Sequence, residues 1–234
     1  GQSLHKSWRI KTDSAETADE LVLTYRGLLQ QEPDVSGIAL CSTVPGVLHQ
    51  MRLMVDRYFA NIPIVIVEPG IKTGVPILTD NPKEVGADRI VNTLAAHHLF
   101  GGPCIVVDFG TSTNLDVVSH TGEFLGGALA PGIEISLDAL AERAAQLRKV
   151  ELVVPRSVIG KNTVEALQSG VIYGFAGQVD GLVERIIEEI GPVTAVVATG
   201  GLSQIVVSES RTITHHEPDL TLLGLALLFE KNQV

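Results

Sequence analysis

Cysteine, clustered basic charge and long apolar runs are all scarce in this 234-residue chain. The two cysteines, Cys41 and Cys104, both lie in apolar surroundings (Ile38-Ala39-Leu40-Cys41 and Cys104-Ile105-Val106-Val107). That context predicts two buried free thiols rather than a disulfide or a zinc site, and it suits a reducing cytoplasm. Lys and Arg number 17 against 27 Asp and Glu, for a net charge of -10, and no basic cluster occurs. A nucleic-acid-binding face is thereby excluded. An acidic chain that handles an anion must gather cations, metals or backbone N–H donors locally. No apolar run approaches membrane-spanning length and no signal peptide is read, so no membrane partner is expected. The Gly-x-x-x-x-Gly-Lys-Ser/Thr phosphate loop is absent too. Lys161, in Gly160-Lys161-Asn162-Thr163, resembles its lysine only superficially. The histidines, among them His97-His98 and His215-His216, lack the i, i+4 spacing of a helical metal site and are expected to be surface or core residues.

Hydrophobic residues make up 45%, enough for burial to offset the ordering cost of folding and to exclude disorder. Short β-branched runs alternate with longer helical stretches, the pattern of an α/β fold. A helix capped by Ser14 or Thr17 carries apolar positions at Ala18, Leu21, Val22, Tyr25 and Leu28-Leu29. Strands are predicted at 37–42 and 64–67, on either side of a helix over 44–60 with Pro45 in its first turn. Pro69-Gly70 and Lys72-Thr73-Gly74 mark a loop. A helix over 84–100 ends at Gly101-Gly102-Pro103, the predicted boundary between domains 1–101 and 102–234. Strands at 104–108 and 114–119 follow. Gly126-Gly127-Ala128 and Pro131-Gly132 read as a glycine-rich loop before a helix over 134–147. A helix over 162–190, with possible breaks at Gly170 or Gly174, a strand over 193–198 and a closing helix over 220–231 complete the chain.

Four stretches carry chemistry. In Val106-Val107-Asp108-Phe109-Gly110-Thr111-Ser112-Thr113 a buried strand delivers a carboxylate at its end. Gly110 then allows a sharp turn and three hydroxyls follow. Such a hairpin can offer N–H and O–H donors to a phosphate while Asp108 holds a cation. Asp116, further on, is expected to serve structure. In Asn81-Pro82-Lys83-Glu84-Val85-Gly86-Ala87-Asp88-Arg89, an Asp able to accept a hydroxyl proton adjoins an Arg able to grip a carboxylate. A substrate with both an alcohol and a carboxylate would suit them. An ordinary helix start with a favourable acid explains the same string. Thr199-Gly200-Gly201 would let a flat ligand such as adenine lie on bare backbone, or is a plain strand-to-helix turn. Asn162 or Thr163, with Glu165, reads as a helix cap.

Taken together, these strings resemble the type III pantothenate kinases. The matching segments are Trp8-Arg9-Ile10 with Thr17-Ala18-Asp19-Glu20, Cys41-Ser42-Thr43-Val44-Pro45, 81–92, 106–118, Gly126-Gly127-Ala128 through Pro131-Gly132, 155–166, 174–181 and Ala198-Thr199-Gly200-Gly201. They occur in the family's order and span almost the whole chain. The resemblance implies two ribonuclease H-like domains of the actin, sugar-kinase and heat-shock-chaperone superfamily, with mixed sheets flanked by helices and a ligand cleft between them. In that cleft Asp88 and Asp108 are expected to face each other. It implies ATP-dependent phosphorylation of pantothenate, the first step of coenzyme A synthesis, with Mg²⁺ and a monovalent cation, potassium or ammonium. Carried over by motif, Gly86, Ala87, Asp88 and Arg89 contact pantothenate, and Asp88 accepts the proton. Asp108 binds the monovalent cation. Thr111, with Gly110 and Ser112, meets ATP, as do Gly200 and Gly201. Thr163 contacts pantothenate across a homodimer interface.

The family's opening strand and Asp-x-Gly-Asn-Thr loop have no match here. The first strands and phosphate loop of domain one are therefore expected to be missing from this chain. Thr79 stands where many members carry an aromatic residue over pantothenate, and Asn114-Leu115 replaces the commoner Thr-Phe. The competing expectation is a catalytically inactive kinase-like regulatory or binding protein related to the Bvg accessory factors. A sugar or acetate kinase would fit the fold but not the Asn81–Arg89 string.

Overall fold

The computed structural model describes residues 4–68, 71–143 and 150–233, which form two compact units. The first unit holds the described residues up to Gly74, Asn81–Ala95, and those from Thr221 onward. Its first helix, α1 (Ala18–Leu29), starts at Thr17, whose hydroxyl accepts from Glu20 N while the Glu20 carboxylate accepts from Thr17 N. This reciprocal box satisfies two donors that a helix start leaves open. Of the two predicted caps, Thr17 is the one used. Ala18, Leu21 and Val22 face inward, as the 3.6-residue period requires. They meet Leu40, Met54 and Val55 from strand β1 (Ile38–Leu40) and helix α2 (Pro45–Tyr58). Strand β2 (Ile64–Ile66) pairs parallel to β1.

The predicted helix over 84–100 is two pieces: a 3₁₀ turn at Pro82–Glu84, then α3 (Ala87–Phe100). Asn81 Nδ2 donates to Glu84 Oε1 at 2.6 Å across that turn. Val85, extended at φ -74° and ψ 122°, separates the two. The closing helix, α7 (Leu220–Lys231), lies against α3. A Cβ on Gly224 would overlap the Val91 carbonyl, and Thr221 Oγ1 donates to Asn92 Oδ1 at 2.7 Å.

The second unit holds Val75–Asp80 and the described residues of Ala96–Leu220. Its strands are β3 (Cys104–Phe109), β4 (Ser112–Val118), β5 (Phe124–Pro131), β6 (Ala195–Thr199) and β7 (His215–His216). They form one mixed sheet in the order β5-β4-β3-β6-β7. The first three make an antiparallel meander, while β6 joins β3 and β7 joins β6 in parallel. Residues 104–107 are buried, as their unbroken apolar run predicts for a strand covered on both faces.

Residues 126–131 are strand, not loop. Glycine serves close approach there: a Cβ on Gly127 would overlap the Leu115 carbonyl, and Gly126 takes φ 109° beside a register shift at Val117/Val118. Helix α4 (Ile133–Arg143) follows, and the predicted continuation to 147 lies outside the described residues, as does the predicted Pro69-Gly70 loop.

Helix α5 runs unbroken from Thr163 to Ile190, with Gly170 and Gly174 inside it. Neither glycine has atoms within 4 Å of a built Cβ, so the helix costs only their propensity there. Inward residues Ala176, Val179 and Val183 pack with Ile105, Val107, Phe109 and Leu115 into the core of this unit. The short helix α6 (Ser203–Val207) links β6 to the loop before β7. Cys104 is buried and Cys41 half-buried, and both are free thiols.

Candidate active site

Residues able to do chemistry collect at one place in each unit. In the second, Asp108 stands in register with Asn114 on β4 and Thr199 on β6. Its carboxylate therefore leaves the sheet at the C-terminal ends of two parallel strands, where open α/β sheets gather ligands. Gly110 N donates to Ser112 O at 3.0 Å, which closes the turn and leaves Gly110 and Thr111 exposed. Gly132 N donates to Thr111 O at 3.1 Å, and a Cβ on Gly132 would overlap that carbonyl. The start of α4 is thus packed on the turn. Ser112 Oγ donates to Asn114 Oδ1 at 3.0 Å.

The Thr199-Gly200-Gly201 turn comes to the same spot. Gly200 has φ 91°, and a Cβ there would stand 2.5 Å from Asp108 Oδ1 and 2.7 Å from the Phe109 backbone. Leu202 N donates to Phe109 O at 3.4 Å. Gly110, Thr111, Ser112, Gly200 and Gly201 are therefore gathered around Asp108. A carboxylate, two hydroxyls and bare backbone is a set that suits a polyphosphate with its cation. No group of three or more His, Cys, Asp or Glu able to hold a metal occurs among the described residues. A cation seated beside a bound polyphosphate here would take Asp108 together with phosphate oxygens and water. Asp116, in mid-strand, is fully buried and has no place at this end of the sheet.

In the first unit Gly86 to Arg89 form the start of α3. Asp88 Oδ1 accepts from Arg89 N at 2.9 Å, and a Cβ on Gly86 would sit 2.6 Å from that same oxygen. Glycine at 86 is what lets the carboxylate turn back over the helix start. Asp88 and Arg89 are both half-buried. Burial, with a smaller push from the Asp88 charge, raises the Cys41 thiol to about 12. The C-terminal end of β1 therefore neighbours Asp88.

Thr163 is exposed in the first turn of α5, outside the Asp108 group. Asn162 caps that helix, accepting from Glu165 N at 2.9 Å, but the Glu165 carboxylate accepts from Lys161 N rather than from Asn162 N. The predicted capping box is thus shifted by one residue. A groove of about 900 Å³ in the first unit, lined by Leu4, Trp8, Tyr25, Leu222 and Phe229 among others, includes none of the predicted site residues.

Sequence reasoning missed Ser203 and His216, whose side chains meet at 2.8 Å beside the Gly200 turn. They lie 13 positions apart, and the strand carrying His216 is two residues long. No local pattern marks such a pair.

The five-stranded mixed sheet, with its hairpin and glycine turn at one end, defines a protein of the α/β class. A Campylobacter jejuni structure described as a Baf family transcriptional activator aligns with a TM-score of 0.50, covering 78% of each chain at 21% identity, and so shares the fold. The profile of the type III pantothenate kinase family matches residues 1–185. The type III pantothenate kinase of Frankia alni is 69% identical over 232 residues, covering 99% of this chain and 92% of that one. That of Salinispora arenicola is 64% identical over 233 residues, with 99% and 92% covered. The chain belongs to the type III pantothenate kinase family.

Proposed function

We propose that this chain phosphorylates pantothenate with ATP, opening coenzyme A synthesis. The carrying observation is the meeting of Asp108, the Gly110–Ser112 turn and Gly200 at one end of the second unit's sheet. Family membership supports the substrate. The regulatory alternative gains nothing from the Campylobacter likeness, which at 21% identity speaks for fold alone.

In this reading the Gly110–Ser112 turn donates to the ATP phosphates, while Gly200 and Gly201 give the nucleotide base a bare floor. Asp108 would hold a monovalent cation, and Mg²⁺, when bound with the nucleotide, would supply charge neutralisation at the phosphates. Gly86 and Ala87 keep the backbone low beside pantothenate, whose carboxylate pairs with the Arg89 guanidinium. Asp88 accepts the proton of the attacking hydroxyl. The bond from the γ-phosphorus to the bridging oxygen breaks, a new bond to the hydroxyl oxygen forms, and ADP leaves. Such transfer rests on positioning and charge neutralisation more than on covalent help. Thr163 reaches pantothenate from a second copy of the chain. No helix among the described residues is long and apolar enough to cross a membrane, and the free thiols fit a cytoplasmic enzyme.

A coupled assay of ADP release tests the reading. Release should require pantothenate, rise with potassium or ammonium, and fall by about 10²–10⁴ in Asp88→Asn. Release without pantothenate, or an unchanged rate in Asp88→Asn, would overturn it.

A further inference from the structure

We propose that Ser203 and His216 are positioning residues for the nucleotide, acting through the carbonyl of Gly200; this rests on the assignment of the Gly200–Gly201 turn to ATP. Gly200 holds φ 91° and lies against Asp108 and Phe109, so its peptide fixes how the turn meets the cation-holding carboxylate. Its carbonyl accepts from Ser203 Oγ at 2.7 Å and from Ser203 N at 3.3 Å. A serine hydroxyl has a single hydrogen. Having given it to Gly200, Ser203 Oγ must accept at its 2.8 Å contact with His216 Nε2. The imidazole therefore carries its proton on Nε2, and a directed chain runs from His216 through Ser203 to Gly200.

The far end of that chain is anchored as well. His216 pairs in register with Ala198 on β6. The loop before β7 is tied down by buried Asp180 of α5, which accepts from Ser210 Oγ at 2.6 Å, Thr212 Oγ1 at 2.8 Å and the amides of Arg211 and Thr212. Nothing in this network needs to touch ATP. Its effect is to hold one peptide of the turn in a conformation only glycine accepts readily. Ser203 is 1% exposed, so water is poorly placed to replace it.

The test is a split in kinetic constants together with direct binding of Mg·ADP by calorimetry. Ser203→Ala and His216→Ala should raise the KM for ATP and the Kd for Mg·ADP roughly three- to tenfold, the worth of one hydrogen bond. The KM for pantothenate and the melting midpoint should stay put. His216→Gln, whose amide can donate in place of the imidazole, should recover most of the affinity. Gly200→Ala separates the two layers of the argument. If it weakens Mg·ADP binding while Ser203→Ala and His216→Ala do not, the relay is wrong and the nucleotide assignment stands. If Gly200→Ala binds Mg·ADP like the wild type, both are wrong. Equal losses for ATP and pantothenate, or a lowered midpoint that His216→Gln does not restore, would mark the pair as merely structural and also overturn the proposal.

Discussion

Arginine at 89 and glycine at 127 show how much single side chains decide. A guanidinium presents a planar fork that meets a carboxylate through two parallel hydrogen bonds, whereas an ammonium meets it as a point. Arg89→Lys should therefore raise the KM for pantothenate about tenfold with little change in the KM for ATP, as steady-state kinetics with each substrate varied will read. At Gly127 the argument is steric. A methyl group there would overlap the Leu115 carbonyl, whose strand is paired on both sides. Gly127→Ala should cost about 2–3 kcal/mol in urea unfolding, the range of an overpacked core site. The place of Gly86-Ala87-Asp88-Arg89 at a helix start was legible from residue type because the signal is local. The Gly126-Gly127 pair was misread as loop for the opposite reason. Glycine signals freedom in a sequence, and only the neighbouring strand reveals that it is there to avoid a clash.

At the scale of elements, α5 adds to its apolar packing one buried acid that ties down the loop before β7. Burial raises the Asp180 carboxyl, and donors from Ser210, Arg211 and Thr212 outweigh that, so it lies below its ordinary 3.8. A depressed carboxyl contributes stability that is complete above its unfolded value and fades as pH falls through the folded one. Urea unfolding should thus show the wild type losing stability as pH drops below 3.8. Asp180→Asn should begin about 2–4 kcal/mol weaker at neutral pH, since several donors lose their charged acceptor, and should lose less over the same acid range. A parallel fall in both proteins would mean that other carboxylates govern the acid limb. Helices α1, α2 and α7 and strands β3, β4 and β6 were readable because period and burial agree in them. The two-residue β7 was not, since its place is set by pairing with β6 rather than by its own side chains. Nor was the seating of α7 on α3, which depends on Gly224 against Val91 across more than a hundred residues of chain.

For the whole molecule the open matter is how many copies work together. Around Thr163 the chain exposes Val158, Ile159 and Val164 at 65%, 71% and 49% of their surface. These three sit beside an otherwise well-organised helix start, where Asn162 and Glu165 both make caps and Ser169 Oγ donates to Val158 O at 2.6 Å. Apolar side chains held on an ordered segment yet left in water mark a contact surface more often than chance. A second copy of the chain is the occupant that would also give Thr163 the role proposed for it at pantothenate. Light scattering should accordingly find a dimer, and Ile159→Asp should shift it toward monomer by placing a charge in a dry contact. If Thr163 serves the partner's substrate, the same variant must raise the KM for pantothenate while the KM for ATP holds, because the Asp108–Gly200 group is drawn from a single chain. A monomeric wild type with full activity would remove the shared site, and a dimer that survives Ile159→Asp would move it to another face.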